Sequence, residues 1–219
     1  ATGTWTTAAC SSGGMSMPRT LVVRGEGAEL TLFEHHVSGD VDHLVSAVVE
    51  LEVAQGATLD YVGFQDHADR VWHVALQRAH VTGGVLRSAA VALGGDYART
   101  RVEALLDAPG ASSDLVAVYF ANETQMLDFR TLQDHVAPRT TSDLLFKGAV
   151  EDEGRSVYSG LVHIRPDAQG AAASQTNRNL VLSPGASAES IPNLEIEAND
   201  VKCSHASAVG PIDDDQLYY

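Results

Sequence analysis

The sequence predicts an all-β fold on three observations: a succession of short runs rich in Val, Leu, Tyr and Phe, a regular alternation of polarity within several of them, and scarce helical periodicity. The runs are 28–34 (AELTLFE), 48–53 (VVELEV), 57–64 (ATLDYVGF), 71–76 (VWHVAL), 115–120 (LVAVYF), 156–164 (SVYSGLVHI) and 194–198 (LEIEA). In the last, Leu194, Ile196 and Ala198 alternate with Glu195, Glu197 and Asn199, which sends one row inward and the other to water. No window of about a dozen residues carries an apolar stripe at i, i+3, i+4 and i+7.

Glycine turns punctuate these runs at Gly27-Ala28, Gly56-Ala57, Gly84-Val85 and Gly110-Ala111, a recurrence in the range where repeat architectures are expected. The spacing fits strands stacked as successive coils, and it fits equally an ordinary sandwich with evenly spaced hairpins. Pro138, Pro166, Pro184 and Pro192 fall at strand margins, and no linker rich in Gly, Pro or Ser divides the β region. Residues 18–212 are therefore read as one unit. Residues 1–17 are read as a flexible or vector-derived lead-in. Residues 213–219 are read as the start of a truncated helical region, because Asp213, Asp214 and Asp215 form an acidic first turn after Pro211. The ending DDDQLYY is read as a cut within a longer parent.

Composition narrows the function classes. With 44% hydrophobic and 20% charged residues among 219, the chain can bury a sizeable core. Fourteen Lys and Arg against 29 Asp and Glu give a net charge of -15, a field that repels phosphate backbones and anionic lipid surfaces. Nucleic-acid and membrane partners are therefore not expected. The most apolar stretch, Ala47 to Ala54, is interrupted by Glu50 and Glu52 and falls short of the roughly 20 residues a spanning helix needs. Two cysteines, Cys10 and Cys203, are too few for a disulfide framework and suit a reducing cytoplasm.

Candidate chemistry was sought among the nine histidines first. Alternation separates His35 from Glu34 and His36, leaving only the latter two to converge. His43, His67, His73, His80, His135 and His163 show no regular metal-ligand spacing, so these histidines are expected at the surface or in turns. There is no Gly-x-Ser-x-Gly elbow, and Gly83-Gly84 and Gly94-Gly95 lack the Gly-Lys-Ser/Thr ending of a phosphate-binding loop. Plentiful carboxylates keep a carbohydrate-cleaving β-helix open, against which stands an aromatic content of only 6%. Near the end, Cys203 and His205 lie two apart in VKCSHASAVGPIDDDQL and, if extended, leave the same face. Thiolate and imidazole together suit borderline metals and iron-sulfur clusters, while a packed Cys beside a surface His remains the alternative.

Residues 175–219, QTNRNLVLSPGASAESIPNLEIEANDVKCSHASAVGPIDDDQLYY, resemble the C-terminal part of the SufB/SufD core of iron-sulfur cluster assembly proteins. The motifs are P-x-L-E-I at Pro192 to Ile196, N-D-V-K-C-S-H at Asn199 to His205 and V-G-P-I-D-x-D-Q-L at Val209 to Leu217, on the SufD side of the family. PRTLVV (18–23), GAELTLFEHH (27–36) and FKGAVEDEGRSVYSG (146–160) extend the resemblance upstream. Where the family often has Gly-Ala-Thr after the histidine, this chain has Ala206, Ser207 and Ala208, so a Cβ stands beside the candidate ligand.

The resemblance implies a right-handed parallel β-helix. It also implies a non-catalytic, cytoplasmic scaffold subunit in a complex with a SufB-like subunit and a SufC-like ATPase, the ATPase docking mainly through helices beyond the β region. A nascent iron-sulfur cluster would form where the SufB-like and SufD-like subunits meet, transiently and shared between them, with none held by the isolated fragment. By position in the motif, His205 and Cys203 are the candidate cluster-site residues. A homodimer is expected when the chain is alone, and a purely structural, self-associating β-solenoid is the remaining alternative.

Overall fold

The computed structural model describes residues 2–8 and 13–211. In chain order the strands are β1 (Thr2–Ala8), β2 (Gly14–Ser16), β3 (Arg19–Arg24), β4 (Glu29–Val37), β5 (His43–Val53), β6 (Thr58–Asp66), β7 (Val71–Val81) and β8 (Val85–Ala92). They continue as β9 (Tyr97–Leu106), β10 (Ser112–Ala121), β11 (Met126–His135), β12 (Thr141–Val150), β13 (Arg155–Ile164), β14 (Ala171–Val181), β15 (Ser187–Ile196) and β16 (Val201–Pro211). There is no helix among the described residues. Cys10 and the helix start expected at 213–217 lie outside them.

Successive strands alternate between two sheets, and from β4 onward each pairs in parallel with the strand two places further along. One sheet runs β1-β4-β6-β8-β10-β12-β14-β16; the other runs β15-β13-β11-β9-β7-β5-β2, with β3 also on β5. This is a parallel β-solenoid, and the all-parallel pairing removes the antiparallel sandwich that the glycine spacing left open. The register gives the coil length directly. Glu29 faces Thr58, Ser112 faces Thr141, and the extremes are Trp72 opposite Tyr97 and Arg155 opposite Ser187. The ladder also takes in β1, which pairs with β4, and β2, which pairs with β5, so it reaches into the segment 1–17 read as a lead-in. Between β2 and β3 the edge is interrupted near Pro18, whose nitrogen has no proton to give a ladder.

From β3 to β14 one corner of each coil is a left-handed turn; the corner between β15 and β16 has none. Gly27, Gly56, Gly83 and Gly110 adopt φ of 63, 67, 88 and 80°, and Gly170 adopts 76° at the equivalent place. Their amides bridge to the next coil: Gly27 N donates to Gln55 O at 3.1 Å and Gly56 N to Gly83 O at 3.1 Å. Glycine suits this corner because a Cβ is disfavoured at positive φ. Arg139 takes the same role at φ 54°, which is why the glycine period fades after residue 110. In the Gly83-Gly84 pair, Gly83 makes the turn. Gly84 instead permits close approach, since a Cβ there would lie 2.5 Å from Ala54 O.

Between the sheets, the inward rows of adjacent coils stack into a continuous core. Its first part contains Leu51, Leu59, Tyr61, Leu86 and Leu106, and its middle contains Tyr119, Phe129, Phe146 and Tyr158. These four rings contact in series, with centroids 4.7, 5.5 and 4.8 Å apart. Each such pair adds about 0.5–1.5 kcal/mol beyond area burial. Polar residues share this interior: Gln133, His135, Gln175 and Asn177 are fully buried.

Candidate functional site

The last coil positions the residues that the sequence singled out. β16 is extended throughout, so Cys203 and His205 leave the same face. Beneath them on β14 stand Ala173 and Gln175. Those two are buried, whereas Cys203 is half-buried and His205 exposed. The contrast holds along the rung. Ile164 is fully buried, while its partner Ile196 is 44% exposed, and Val209 is 43% exposed above the buried Asn179. Nothing among the described residues lies over this rung, so inward-facing side chains that would be core one coil earlier are accessible here. Ile196, expected inward from its alternation, is exposed for that reason.

Cys203 packs against the cluster formed by Val162, Ile164, Ala171, Ala173 and Ala198. Burial pushes its thiol above the ordinary range, with a backbone hydrogen bond at Ala173 acting in the opposite sense. The free thiol is therefore protonated at neutral pH, and metal ligation would have to displace that proton.

Outside the second sheet a different cluster forms one coil apart. His163 Nδ1 is 3.3 Å from Asp134 Oδ1 and its Nε2 is 3.3 Å from Glu197 Oε2, while Arg165 holds Asp134 with two bonds of 2.9 and 2.8 Å. His163, Glu195 and Glu197 can bring one ligand atom each within 4.8 Å of one another. Both glutamates are exposed, and such acidic groups are common without an ion.

The histidines depart from the surface placement expected of them. His36, His43, His67, His73 and His135 are all buried, because strand alternation turns His36, His43, His73 and His135 inward and the coil corner folds His67 under. His135 is a satisfied core residue: Nδ1 meets Thr140 Oγ1 and Nε2 meets Ser142 Oγ, both at 2.8 Å. The other four gather at one level of the interior. His67 Nε2 and His73 Nδ1 are 3.0 Å apart. The ring of His36 lies 5.7 Å from that of His73 and 6.4 Å from that of His67. Glu34, only 1% exposed, accepts hydrogen bonds from Thr20 at 2.8 Å and Tyr61 at 2.6 Å and sits 3.8 Å from His36 Nε2. Burial, reinforced by His36, pushes the His67 imidazole down to about 4, and burial holds His73 well below its ordinary range. No sequence spacing reveals this: the register pairs His36 with Gln65, and His67 comes beside His36 only because the chain turns inward just past the end of β6.

Comparison with known proteins bears on the chain as a whole. The family model described as SUF system FeS cluster assembly, SufBD core domain, matches residues 6–219. An iron-sulfur cluster assembly SufBD family protein of Mycobacterium leprae is 37% identical over 202 residues, covering 88% of this chain and 50% of that protein. The iron-sulfur cluster assembly protein SufD of Escherichia coli is 32% identical over 196 residues, covering 89% and 46% respectively. Protein ABCI7, chloroplastic, of Arabidopsis thaliana is 31% identical over 218 residues, covering 94% and 44%. The chain thus spans about half the length of the curated relatives it matches.

Proposed function

The chain belongs to the SufBD core family of the SUF iron-sulfur cluster assembly system, and from that premise we propose that it is a non-catalytic scaffold whose uncovered last coil pairs with a SufB-like subunit and lends His205 and Cys203 to a nascent cluster. The observation that carries this reading is the exposure of one inward row. Cys203, His205 and Val209 share a strand face that is buried in the coil below and uncovered here. A cluster takes about four protein ligands. Two from this chain leave the remainder to a partner, which puts the site at an interface.

The cluster is cargo, built there and passed on. A SufC-like ATPase supplies the energy in the same assembly, and the working compartment is the cytoplasm, where a free thiol stays reduced. Without a SufB-like partner, the chain pairs with a second copy through its β-solenoid. What supports this is the strand edges of β15 and β16, unpaired among the described residues, together with the exposed Ile196 and Val209, which a second copy would cover.

The test is anaerobic cluster reconstitution in the complex of this subunit with its SufB-like and SufC-like partners, followed by visible absorption and Mössbauer spectroscopy. Loss of cluster on replacing His205, with the complex intact, supports the reading. An unchanged cluster yield overturns it.

A further inference from the structure

We propose that His36, His67 and His73 form a tris-imidazole site inside the solenoid that binds one divalent first-row transition metal ion, separately from the last coil. Their geometry is close to what such an ion requires. A metal-nitrogen bond is about 2.0–2.1 Å, which places each ring centre about 3.2 Å from the metal and tetrahedrally related rings about 5.2 Å apart. The three centroid separations here are 5.0, 5.7 and 6.4 Å. The 3.0 Å between His67 Nε2 and His73 Nδ1 is close to the roughly 3.3 Å edge of a tetrahedral nitrogen site. The third donor stands off: His36, His67 and His73 do not bring one ligand atom each within 4.8 Å of one another, so binding an ion requires the His36 ring, 6.4 Å from that of His67, to move toward the other two.

The second observation is unsatisfied buried nitrogen. His36, His43 and His67 each keep an Nδ1 with no hydrogen-bond partner among the described residues, although these residues are 6, 7 and 4% exposed; of the three, the His36 Nδ1 is the one that an ion at this site satisfies. A buried polar atom left unpaired costs about 1–3 kcal/mol, and His135 shows that this fold can satisfy an interior histidine on both sides. With a metal bound, His36 ligates through Nδ1 while its Nε2 faces Glu34, the carboxylate-histidine-metal arrangement that orients a ligand ring. His67 and His73 ligate through the nitrogens that now face each other. The proton that one of these two nitrogens now donates to the other passes to the far nitrogen of its own ring as the metal binds, so each ring stays neutral and no net proton is released. A cavity of about 50 Å³ is bordered by His36, His73, Tyr61 and Gln65 but not by His67, and gives space on the His36 and His73 side of the cluster. An all-imidazole donor set selects zinc-like or iron-like ions over calcium and magnesium, which prefer oxygen.

The experiment titrates the metal-free 219-residue chain with Co²⁺ and then Zn²⁺. The protein carries His163→Ala and Cys203→Ser to remove the exposed competitors. Expected are one Co²⁺ per chain with the intense visible bands of a tetrahedral nitrogen site, displacement by Zn²⁺, and at least tenfold weaker binding in His36→Gln and His67→Gln. Side-chain ¹⁵N spectra of the unsubstituted chain provide a readout that needs no buried substitution: Zn²⁺ must shift the buried imidazoles. Absence of binding, shifts confined to His80, His163 and His205, or undiminished affinity in both glutamine variants overturns the proposal.

Discussion

Gly148 lies flat against the ring of Tyr119: a Cβ built at position 148 would fall 1.9 Å from Tyr119 Cε2. The two are paired across β10 and β12, and Tyr119 is 2% exposed in the middle of the aromatic series. The ring cannot retreat, because its hydroxyl donates to Asn179 Oδ1 at 2.5 Å and accepts from Asn177 Nδ2 at 2.9 Å. Gly148→Ala is expected to destabilise the chain by about 1–3 kcal/mol, the usual cost of overpacking. Urea denaturation measures it, and Tyr119→Leu in the same chain should recover part of the loss. An unaltered midpoint would show that the coil can widen at no cost.

The strands most legible in the sequence were those whose inward row is apolar. The runs at 48–53 and 115–120 fall within β5 and β10, and the run at 57–64 starts one residue before β6 and ends inside it. β11 and β14 escaped notice because polar residues take over the later part of their inward rows, Thr131, Gln133 and His135 after Leu127 and Phe129 in one, and Gln175, Asn177 and Asn179 after Ala171 and Ala173 in the other. Alternation reveals a strand only when inside means apolar. In a solenoid an interior polar group can find a partner on another coil, as Asn177 does with Tyr119 two coils away and 58 positions apart in sequence. The same blindness hid the interior histidines, since His36 and His67 become neighbours only through the parallel register of β4 and β6 and the inward turn just past β6. The Cys203 and His205 pair was readable because both lie on one strand, two residues apart. That their face is uncovered was not readable, because the order of coils decides it.

Stability should fall with acid because of His135. Burial pushes its imidazole down to about 4 from an ordinary 6.5, with Asp134 acting weakly in the opposite sense. Between these values the unfolded chain binds a proton that the folded chain refuses. Stability is therefore fully present above about pH 6.5 and is lost as pH falls toward about 4. The loss from this residue is on the order of a few kcal/mol. His135→Gln keeps a group able to bond Thr140 and Ser142 but does not titrate. Its stability curve should be flatter than that of the unsubstituted chain between pH 6.5 and 4, measured by denaturant titration at each pH. Parallel curves would assign the acid sensitivity elsewhere.

Self-association should run through the last coil. Ile196→Lys and Val209→Lys place charges on a face that is accessible in the single chain, so each should cost little stability on its own. Light scattering at micromolar concentration should give a dimer for the unsubstituted chain and a monomer for the double variant. A monomer for the unsubstituted chain, or a dimer for the double variant, would move the pairing surface away from β15 and β16.

The sharpest test concerns His205. It is exposed on the last described rung and among the described residues no hydrogen bond to its ring holds it, so His205→Ala should leave folding within about 0.5 kcal/mol and leave subunit pairing intact. Cluster formation should nonetheless drop severalfold, because an interfacial cluster that loses one of about four protein ligands is left open to solvent. Cys203→Ala should fall less or equally, for its thiol already serves the packing of Val162 and Ile164 and stays protonated until a metal displaces the proton. Whole-cell maturation of iron-sulfur enzymes, in a strain that depends on this system, reads the difference while purified complexes report assembly. Wild-type maturation with His205→Ala would remove this residue from the site while leaving the fold and the family untouched.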